Sequence, residues 1–299
     1  MSYTVVRGKP TSSHLYLDTI LDEVLLELGI KPGTKEREKV TLTQLLFHCI
    51  KRKPNRNGAT GEHVTNGQIL RRAVALARAL LATGASGKRA VLLMRNHQHM
   101  MVVYFAVIFS GILPFLMDPN AMNYELSHFL RLIEPSYVFY DGEHHTVLHD
   151  SLNKTQLTPT VYIVDDPKHL ATFTAGYSDD VHNALLDDPV ILVPTSGSTG
   201  LPKAAQLTHR GLLIQISNLW TYHTKFPTPT KLVMITASLQ WITFTKTMMS
   251  CVVYHTPILI SPIVNTVESV TTLLEKYKVS LVSSISVYLF YLKLIFQLN

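Results

Sequence analysis

The chain has 299 residues, of which 46% are hydrophobic and 16% are charged. This composition is typical of one large globular domain or two smaller ones, and it excludes an intrinsically disordered chain. The net charge of +6 suits small anionic ligands, but the basic runs are short and have no interleaved aromatic residues, which argues against a nucleic-acid-binding protein.

A helix and a strand are predicted between residues 65 and 94. Thr65 and Gln68 have the spacing of a capping box, in which each residue binds the backbone N–H of the other at the start of a helix. Apolar residues then recur at helical spacing as far as Leu81. Residues 89–94 have the length and apolar content of a short strand.

The apolar run at residues 100–117 is about as long as a membrane span requires. A serine, a glycine and a proline interrupt the run, and an Asp-Pro-Asn triplet ends it. We therefore predict a helix over residues 98–110 and a buried strand over 112–117, which account for the same residues without a membrane. Membrane attachment through this run or through the last fifteen residues is the alternative.

The alternation of helices and strands continues after this run. Asn123 is placed to cap a helix whose apolar residues recur through Ile133, and strands are predicted at 136–140 and 160–164. Short apolar strands between amphipathic helices predict an α/β fold with mainly parallel sheets flanked by helices.

A polar, turn-rich stretch at residues 171–188 is the best candidate for a junction between two lobes. We predict a first α/β lobe with an amino-terminal extension at residues 1–180 and a second, incomplete α/β lobe at 181–299. The elements predicted in the second lobe are strands at 190–193, 231–235, 257–260 and 279–283 and helices at 209–222 and 267–276.

The most informative segment is Pro-Thr-Ser-Gly-Ser-Thr-Gly-Leu-Pro-Lys at residues 194–203. It follows a predicted strand and precedes a helix expected to begin near Thr208. Backbone N–H groups, hydroxyls and one ammonium can converge there on a polyphosphate. The alternative is an ordinary surface turn rich in Ser, Gly and Thr. The candidate phosphate-binding residues are Thr195, Ser196, Gly197, Ser198, Thr199, Gly200 and Lys203.

Other phosphate and nucleophile motifs do not fit this segment. A Walker A loop needs Gly-Lys-Ser/Thr after a four-residue gap, and a nucleophile elbow needs Gly-x-Ser-x-Gly. Neither pattern is present, nor is a Rossmann fingerprint, so Ser196 and Ser198 are poor candidates for covalent nucleophiles.

The nine residues from Thr195 to Lys203 resemble the phosphate-loop signature of the adenylate-forming (AMP-binding) enzymes, which include acyl-CoA synthetases, 4-coumarate–CoA ligases and luciferases. Residues 204–211 resemble the Thr-His-Arg stretch that follows this loop in the family, and residues 58–65 and 111–119 resemble its earlier regions. The resemblance covers about residues 45–285 and implies the amino-terminal domain of such an enzyme.

The resemblance implies ATP-dependent activation of a carboxylic acid, fatty or aromatic, to an acyl-adenylate and then to an acyl-CoA. The loop would hold the β- and γ-phosphates of ATP, and Lys203 would add positive charge. ATP, Mg²⁺ and coenzyme A are the implied cofactors and co-substrates. The family also implies an intracellular protein of fatty acid metabolism, peroxisomal or cytoplasmic, although no targeting signal is visible in this sequence.

Several functional motifs of the family are not found in this sequence. They are the aromatic-Gly-x-Thr-Glu segment whose Glu helps to place magnesium, the Asp that holds the ribose, and the adenylation lysine. We therefore expect a truncated amino-terminal part of a longer enzyme with weak or absent turnover, and we assign no catalytic residue. The apolar residues 287–296 favour the same interpretation. A non-catalytic nucleotide-binding isoform or pseudoenzyme is the alternative.

Trp241 stands where many members of the family have a histidine. It could line an acyl pocket, but an aromatic residue on this helix is more often part of the core.

The histidines and cysteines suggest no metal site. His97 with His99, and His144 with His145, lack a cysteine or carboxylate partner at ligand spacing, so we expect exposed or hydrogen-bonded side chains. His209 follows Lys203 by six residues and is expected to help fix the loop. Cys49 and Cys251 have no disulfide-framework spacing and are expected to be buried thiols in a reducing compartment.

Overall fold

The computed structural model describes residues 12–52, 57–59, 64–166, 188–196, 200–223, 232–260 and 267–283. These residues form two sheets with helices packed on their faces, as the alternating sequence pattern predicts. The apolar residues 287–296 and most of the turn-rich stretch at 171–188 lie outside the described residues.

Three helices precede the first strand: α1 (Ser12–Glu27), α2 (Thr34–Arg37) and α3 (Leu42–Arg52). Helix α3 is amphipathic, and its buried face includes Cys49. Arg37 ties α2 to α1, because its guanidinium donates to both carboxylate oxygens of Asp22 at 2.6 and 2.5 Å.

The next elements are β1 (Asn57–Ala59), β2 (Val64–Thr65), α4 (Asn66–Ala82), β3 (Arg89–Leu93), α5 (Gln98–Phe109) and β4 (Leu113–Leu116). The predicted capping box is confirmed, since Thr65 N donates to Gln68 Oε1 at 2.8 Å and Gln68 N donates to Thr65 Oγ1 at 3.2 Å. The apolar run splits into a helix and a strand as predicted, and none of the described helices is long and apolar enough to cross a membrane.

Two helix–strand pairs continue the first half of the chain: α6 (Asn123–Ile133), β5 (Tyr137–Tyr140), α7 (His145–Thr155) and β6 (Thr160–Ile163). Asn123 was expected to cap α6 but is its first helical residue, so that expectation is wrong. The capping position is Met122, whose N–H donates to the carboxylate of Glu125 at 3.3 Å.

The remaining elements are β7 (Pro189–Thr195), β8 (Lys203–Thr208), α8 (His209–His223), β9 (Val233–Ile235), α9 (Ile242–Val253), β10 (Ile258–Ile260), α10 (Val267–Tyr277) and β11 (Leu281–Ser283). The predicted strand–loop–helix arrangement is wrong in one respect. A second strand, β8, lies between the loop and α8 and pairs antiparallel with β7, so the loop closes a hairpin.

The described strands form a six-stranded sheet in the order β6-β5-β3-β4-β7-β8 and a five-stranded sheet in the order β11-β9-β10-β1-β2. Neighbours are parallel, except that β8 is antiparallel to β7 and β2 is antiparallel to β1. Both sheets contain strands from both sides of residue 180. The division into lobes at residues 1–180 and 181–299 therefore does not follow the sheets, and it stays a prediction about domains.

Candidate functional site

The two ends of the phosphate-type loop are held together by the β7–β8 pairing. Thr195 and Lys203 are directly opposite each other in this register, which puts both side chains on one face of the hairpin. Thr195 Oγ1 donates to the backbone oxygen of Lys203 at 3.3 Å, and both residues are exposed. An exposed threonine and an exposed lysine therefore lie on the same face of the hairpin at the base of the loop.

Other predicted loop residues are only partly within the described structure. Ser196 and Gly200 are described and exposed, whereas Gly197, Ser198 and Thr199 lie outside the described residues. A Cβ atom added to Gly200 would meet no heavy atom of the described residues within 4 Å. A ligand could therefore approach the backbone at Gly200 without meeting the described part of the protein.

His128 on α6 holds the end of the loop that precedes Lys203. Its Nε2 donates to the backbone oxygen of Pro202 at 2.7 Å, which fixes the proton on Nε2 because a carbonyl can only accept. The ring also packs edge-on against Phe129, with centroids 5.2 Å apart. Sequence reasoning missed this residue, since the contact joins positions 74 apart in the chain.

The loop lies at the carboxyl edge of the six-stranded sheet. Strand β7 is parallel to β4, so Thr195 is at the same edge as Asp118, which follows β4, and Asp141, which follows β5. In open α/β sheets this edge is where ligands bind.

Residues 236–241 bridge this edge to the second sheet. The buried side chain of Asn96 donates through Nδ2 to the backbone oxygen of Ala237 at 2.7 Å, and Gln240 Nε2 donates to Asp118 Oδ2 at 2.8 Å. Trp241 ends this bridge and is 44% exposed, so the expectation of a core residue is wrong. Its role in an acyl pocket stays a prediction.

His97 and His99, which were considered as metal ligands, belong to hydrogen-bond networks, as expected. His97 Nδ1 accepts from Met100 N at 3.2 Å and so caps α5, and its Nε2 donates to Asp141 Oδ1 at 2.8 Å. The other carboxylate oxygen of Asp141 accepts from Arg95 N at 2.7 Å. His99 Nδ1 lies 2.9 Å from the guanidinium of Arg72.

Asp141, Glu143 and His144 come close enough together to be considered as a metal site. However, both oxygens of Asp141 already accept N–H groups, and Glu143 accepts from the guanidinium of Arg95. A cation bound there would have to compete with the charge of Arg95. Burial lowers the pKa of His144, although the carboxylates of Glu143 and Asp141 oppose this effect. Asp141 and Glu143 therefore fit a hydrogen-bonded support for the sheet edge better than a metal centre.

His209 does not fix the loop directly. It begins α8 at the far end of β8, and a six-residue strand at about 3.4 Å per residue separates it from the loop by roughly 20 Å. Its backbone N–H donates to Asp188 O at 3.3 Å, which closes the opposite end of the hairpin.

Comparison with known proteins finds relatives that align with about half of this chain. A fatty acid–[acyl-carrier-protein] ligase of Streptomyces coeruleorubidus is 30% identical over 154 residues, which are 50% of this chain and 29% of that protein. The 4-coumarate–CoA ligase-like protein 9 of Arabidopsis thaliana is 27% identical over 164 residues, which are 52% of this chain and 28% of that protein. The chain thus aligns with less than a third of the length of these two relatives.

The structure of a luciferase-like enzyme from the nonluminescent mealworm Zophobas morio superposes with a TM-score of 0.74 at 19% identity. The superposition covers 82% of this chain and 59% of that one, and at this identity it shows the shared fold alone. Residues 46–292 match the family described as AMP-binding enzyme, which is most of the chain. The chain therefore belongs to the AMP-binding enzymes.

Proposed function

We propose that this protein takes part in the ATP-dependent activation of a carboxylic acid, and that the loop at residues 195–203 binds the triphosphate. The observation that carries the proposal is the exposed hydroxyl of Thr195 beside Lys203, at the carboxyl edge of a parallel sheet. Family membership supports acid activation in general. The chain corresponds to only part of its relatives, so the activity of the whole protein is itself a proposal.

The chemistry of activation explains why a cationic loop is useful. A carboxylate oxygen attacks the α-phosphorus of ATP, the bond to the bridging oxygen breaks, and pyrophosphate leaves with the electron pair. Two anions must approach each other, so positioned positive charge and N–H donors stabilise the transition state. Lys203 and the hydroxyls of Thr195 and Ser196 would hold the leaving phosphates, and Thr195 Oγ1 would give up its bond to the backbone oxygen of Lys203 to do so. A thiol, normally that of coenzyme A, would then displace AMP.

The described loop residues fit a polyphosphate better than a bare magnesium ion. They offer an ammonium and hydroxyls, whereas Mg²⁺ prefers carboxylate and phosphate oxygens. Magnesium would accordingly be held mainly by the phosphates themselves and would reduce their negative charge.

ATP binding by the chain tests the loop directly. Titration calorimetry with MgATP is expected to show binding, and Lys203→Ala should weaken it by about tenfold or more, because charge-assisted hydrogen bonds are lost. Lys35→Ala is the matched control, since Lys35 is an exposed lysine on α2. Equal affinities for the Lys203→Ala variant and the unaltered protein would contradict the assignment of the loop.

A second candidate function is nucleotide binding without catalysis. It rests on the same loop, since Thr195 and Lys203 could hold a triphosphate whether or not the nucleotide reacts. ATP–pyrophosphate exchange with fatty and aromatic acids separates the two functions. We expect weak or absent exchange from these 299 residues alone, and robust exchange would refute that expectation.

Location in the peroxisome or cytoplasm and a role in fatty acid metabolism follow from the resemblance and stay predictions. Imaging of the tagged protein against peroxisomal and cytoplasmic markers tests the location.

A further inference from the structure

Two histidines on α7 bring their rings into contact. His145 is the first residue of the helix and His149 is four residues further on, which places both side chains on one face, one turn apart. Their ring centroids are 4.2 Å apart, and the ring planes are tilted by 42°. His145 is exposed and His149 is half-buried, so the pair lies at the surface. We call these two residues the α7 histidine pair.

The spacing of the α7 histidine pair is one that binds transition-metal ions. Histidines at positions i and i+4 of a helix present their imidazoles to one point, as in the His-x-x-x-His pairs of zinc sites. A zinc–nitrogen bond is about 2.1 Å long, so two nitrogens on one tetrahedral zinc ion are roughly 3.4 Å apart. Ring centroids 4.2 Å apart put both imidazoles within reach of one such ion.

Tyr140, the last residue of β5, orients the ring of His145. Tyr140 is 1% exposed, and its hydroxyl oxygen lies 3.0 Å from His145 Nδ1. Burial and, to a lesser extent, the negative charge of Asp165 raise the pKa of Tyr140, so its hydroxyl stays neutral and can accept an N–H. When Nδ1–H donates to this hydroxyl, Nε2 carries no proton and its lone pair is available to a metal. Metal-bound histidines usually have their second nitrogen fixed by such a bond.

The other close pair of histidines, His97 and His99, has surroundings that disfavour a cation. Their ring centroids are 5.8 Å apart. Both nitrogens of His97 already form hydrogen bonds, and His99 Nδ1 lies 2.9 Å from the guanidinium of Arg72. A metal ion there would meet the positive charge of Arg72. This pair therefore provides a matched control for the α7 histidine pair.

We propose that the α7 histidine pair binds a divalent transition-metal ion such as Zn²⁺, held by one nitrogen of each ring and oriented through Tyr140. Imidazole suits Zn²⁺, Ni²⁺ and Cu²⁺, whereas Mg²⁺ and Ca²⁺ prefer oxygen ligands. Among the described residues, no third histidine, cysteine or carboxylate lies close enough to complete the site, so water fills the remaining positions.

The site is separate from the phosphate loop. Strands β3 and β4 lie between β5 and β7, and three sheet spacings correspond to roughly 14 Å. The test of the site therefore needs no nucleotide and no catalytic turnover.

Titration calorimetry with ZnCl₂ tests the proposal. The unaltered protein is expected to bind Zn²⁺, and His145→Gln and His149→Gln should each weaken the tightest site by about tenfold or more, because one of two protein ligands is lost. His99→Gln removes a histidine from the control pair and should leave this affinity unchanged. Circular dichroism checks that each variant is folded. Absence of Zn²⁺ binding, or equal affinity in the unaltered protein and both α7 variants, would overturn the proposal.

Electron paramagnetic resonance of bound Cu²⁺ provides a second test that needs no variant. Substoichiometric Cu²⁺ loads the tightest site, and two imidazole ligands should give the hyperfine pattern of two nitrogens. A spectrum with one nitrogen or with oxygen ligands alone would contradict the site.

Tyr140→Phe tests the orienting bond, because it keeps the ring of Tyr140 and removes only the hydroxyl. We expect Zn²⁺ to bind severalfold more weakly to this variant, as for the loss of other groups that orient a ligand. Unchanged affinity would show that Tyr140 does not orient His145 for the metal.

Discussion

His97 connects two parts of the fold through the two nitrogens of one ring. Nδ1 accepts the N–H of Met100 at the start of α5, so in this arrangement the proton must sit on Nε2, which donates to the buried carboxylate of Asp141. The geometry therefore selects one tautomer of the neutral imidazole. The ring supports the sheet edge on which Asp118 and the loop also lie.

His97→Ala is expected to lower the free energy of unfolding by about 2 kcal/mol, because a helix cap is lost and a buried carboxylate loses one donor. His99→Ala is the matched control, since His99 contacts Arg72 without capping a helix, and it should cost less than about 1 kcal/mol. Urea unfolding followed by circular dichroism measures both. Equal losses in the two variants would contradict the special role of His97.

His144 makes stability depend on pH. Burial lowers its pKa below the ordinary value of 6.5, so the unfolded chain takes up a proton at a higher pH than the folded protein does. The stability that neutral His144 contributes is fully present above pH 6.5. It is lost as the pH falls from there through the folded-state pKa of His144. The free energy of unfolding, measured with urea from pH 7.5 to 5, should therefore fall more steeply for the unaltered protein than for His144→Gln. Identical pH profiles would contradict this assignment.

Residues of the loop could be proposed from sequence because their types and order carry the chemistry locally. His128 could not, because its role depends on α6 lying beside Pro202, and nothing in the local pattern of α6 indicates that neighbour. Trp241 was misjudged as core for a related reason. The turn it ends is held by Asn96 and Asp118, which come from a distant part of the chain.

At the level of elements, the hairpin β7–β8 shows where sequence patterns fail. Residues 203–208 contain neither a run of β-branched residues nor a clear alternation, so local propensity gives no signal for a strand. Pairing with β7, which has a strong apolar run, decides their conformation. Five helices, α4, α5, α6, α8 and α10, and the apolar strands were predicted to within a few residues, because their periodicity is local. Helices α1, α3 and α7 were not predicted.

The contact between α6 and the loop can be tested by substituting His128. His128→Ala removes the N–H donor to Pro202 O, and we expect ATP to bind about three- to tenfold more weakly, as for the loss of one hydrogen bond. His128→Gln keeps a side-chain N–H and should recover part of the affinity. Calorimetric titration with MgATP measures both variants. If alanine and glutamine behave like the unaltered protein, His128 has no part in positioning the loop.

The whole molecule is held together by packing across the predicted division at residue 180. Helix α3 contacts α8 and α9, and each sheet combines strands from both parts of the chain. Such mixing could not be predicted from the sequence, because it depends on pairings between residues far apart in the chain. We therefore expect the two parts to unfold together.

Cys49 on α3 and Cys251 on α9 report on this coupling. Both thiols are buried, and burial raises the pKa of each, so neither should react with a thiol reagent in the folded protein. In the single-cysteine variants Cys49→Ala and Cys251→Ala, the remaining thiol should become reactive at the same urea concentration. If the two thiols became reactive at different urea concentrations, this would support lobes that unfold independently.

The pairing of β1 with β10 also has a consequence for biosynthesis. Ala59 lies opposite Ile258, so the ribosome must add roughly 200 residues after β1 before its parallel neighbour exists. At about 5–20 residues per second this takes on the order of 10–40 s. One edge of β1 stays unpaired on the nascent chain during that interval, and unpaired strand edges invite association with other chains. Holding chaperones are therefore expected to bind this chain while it is being translated.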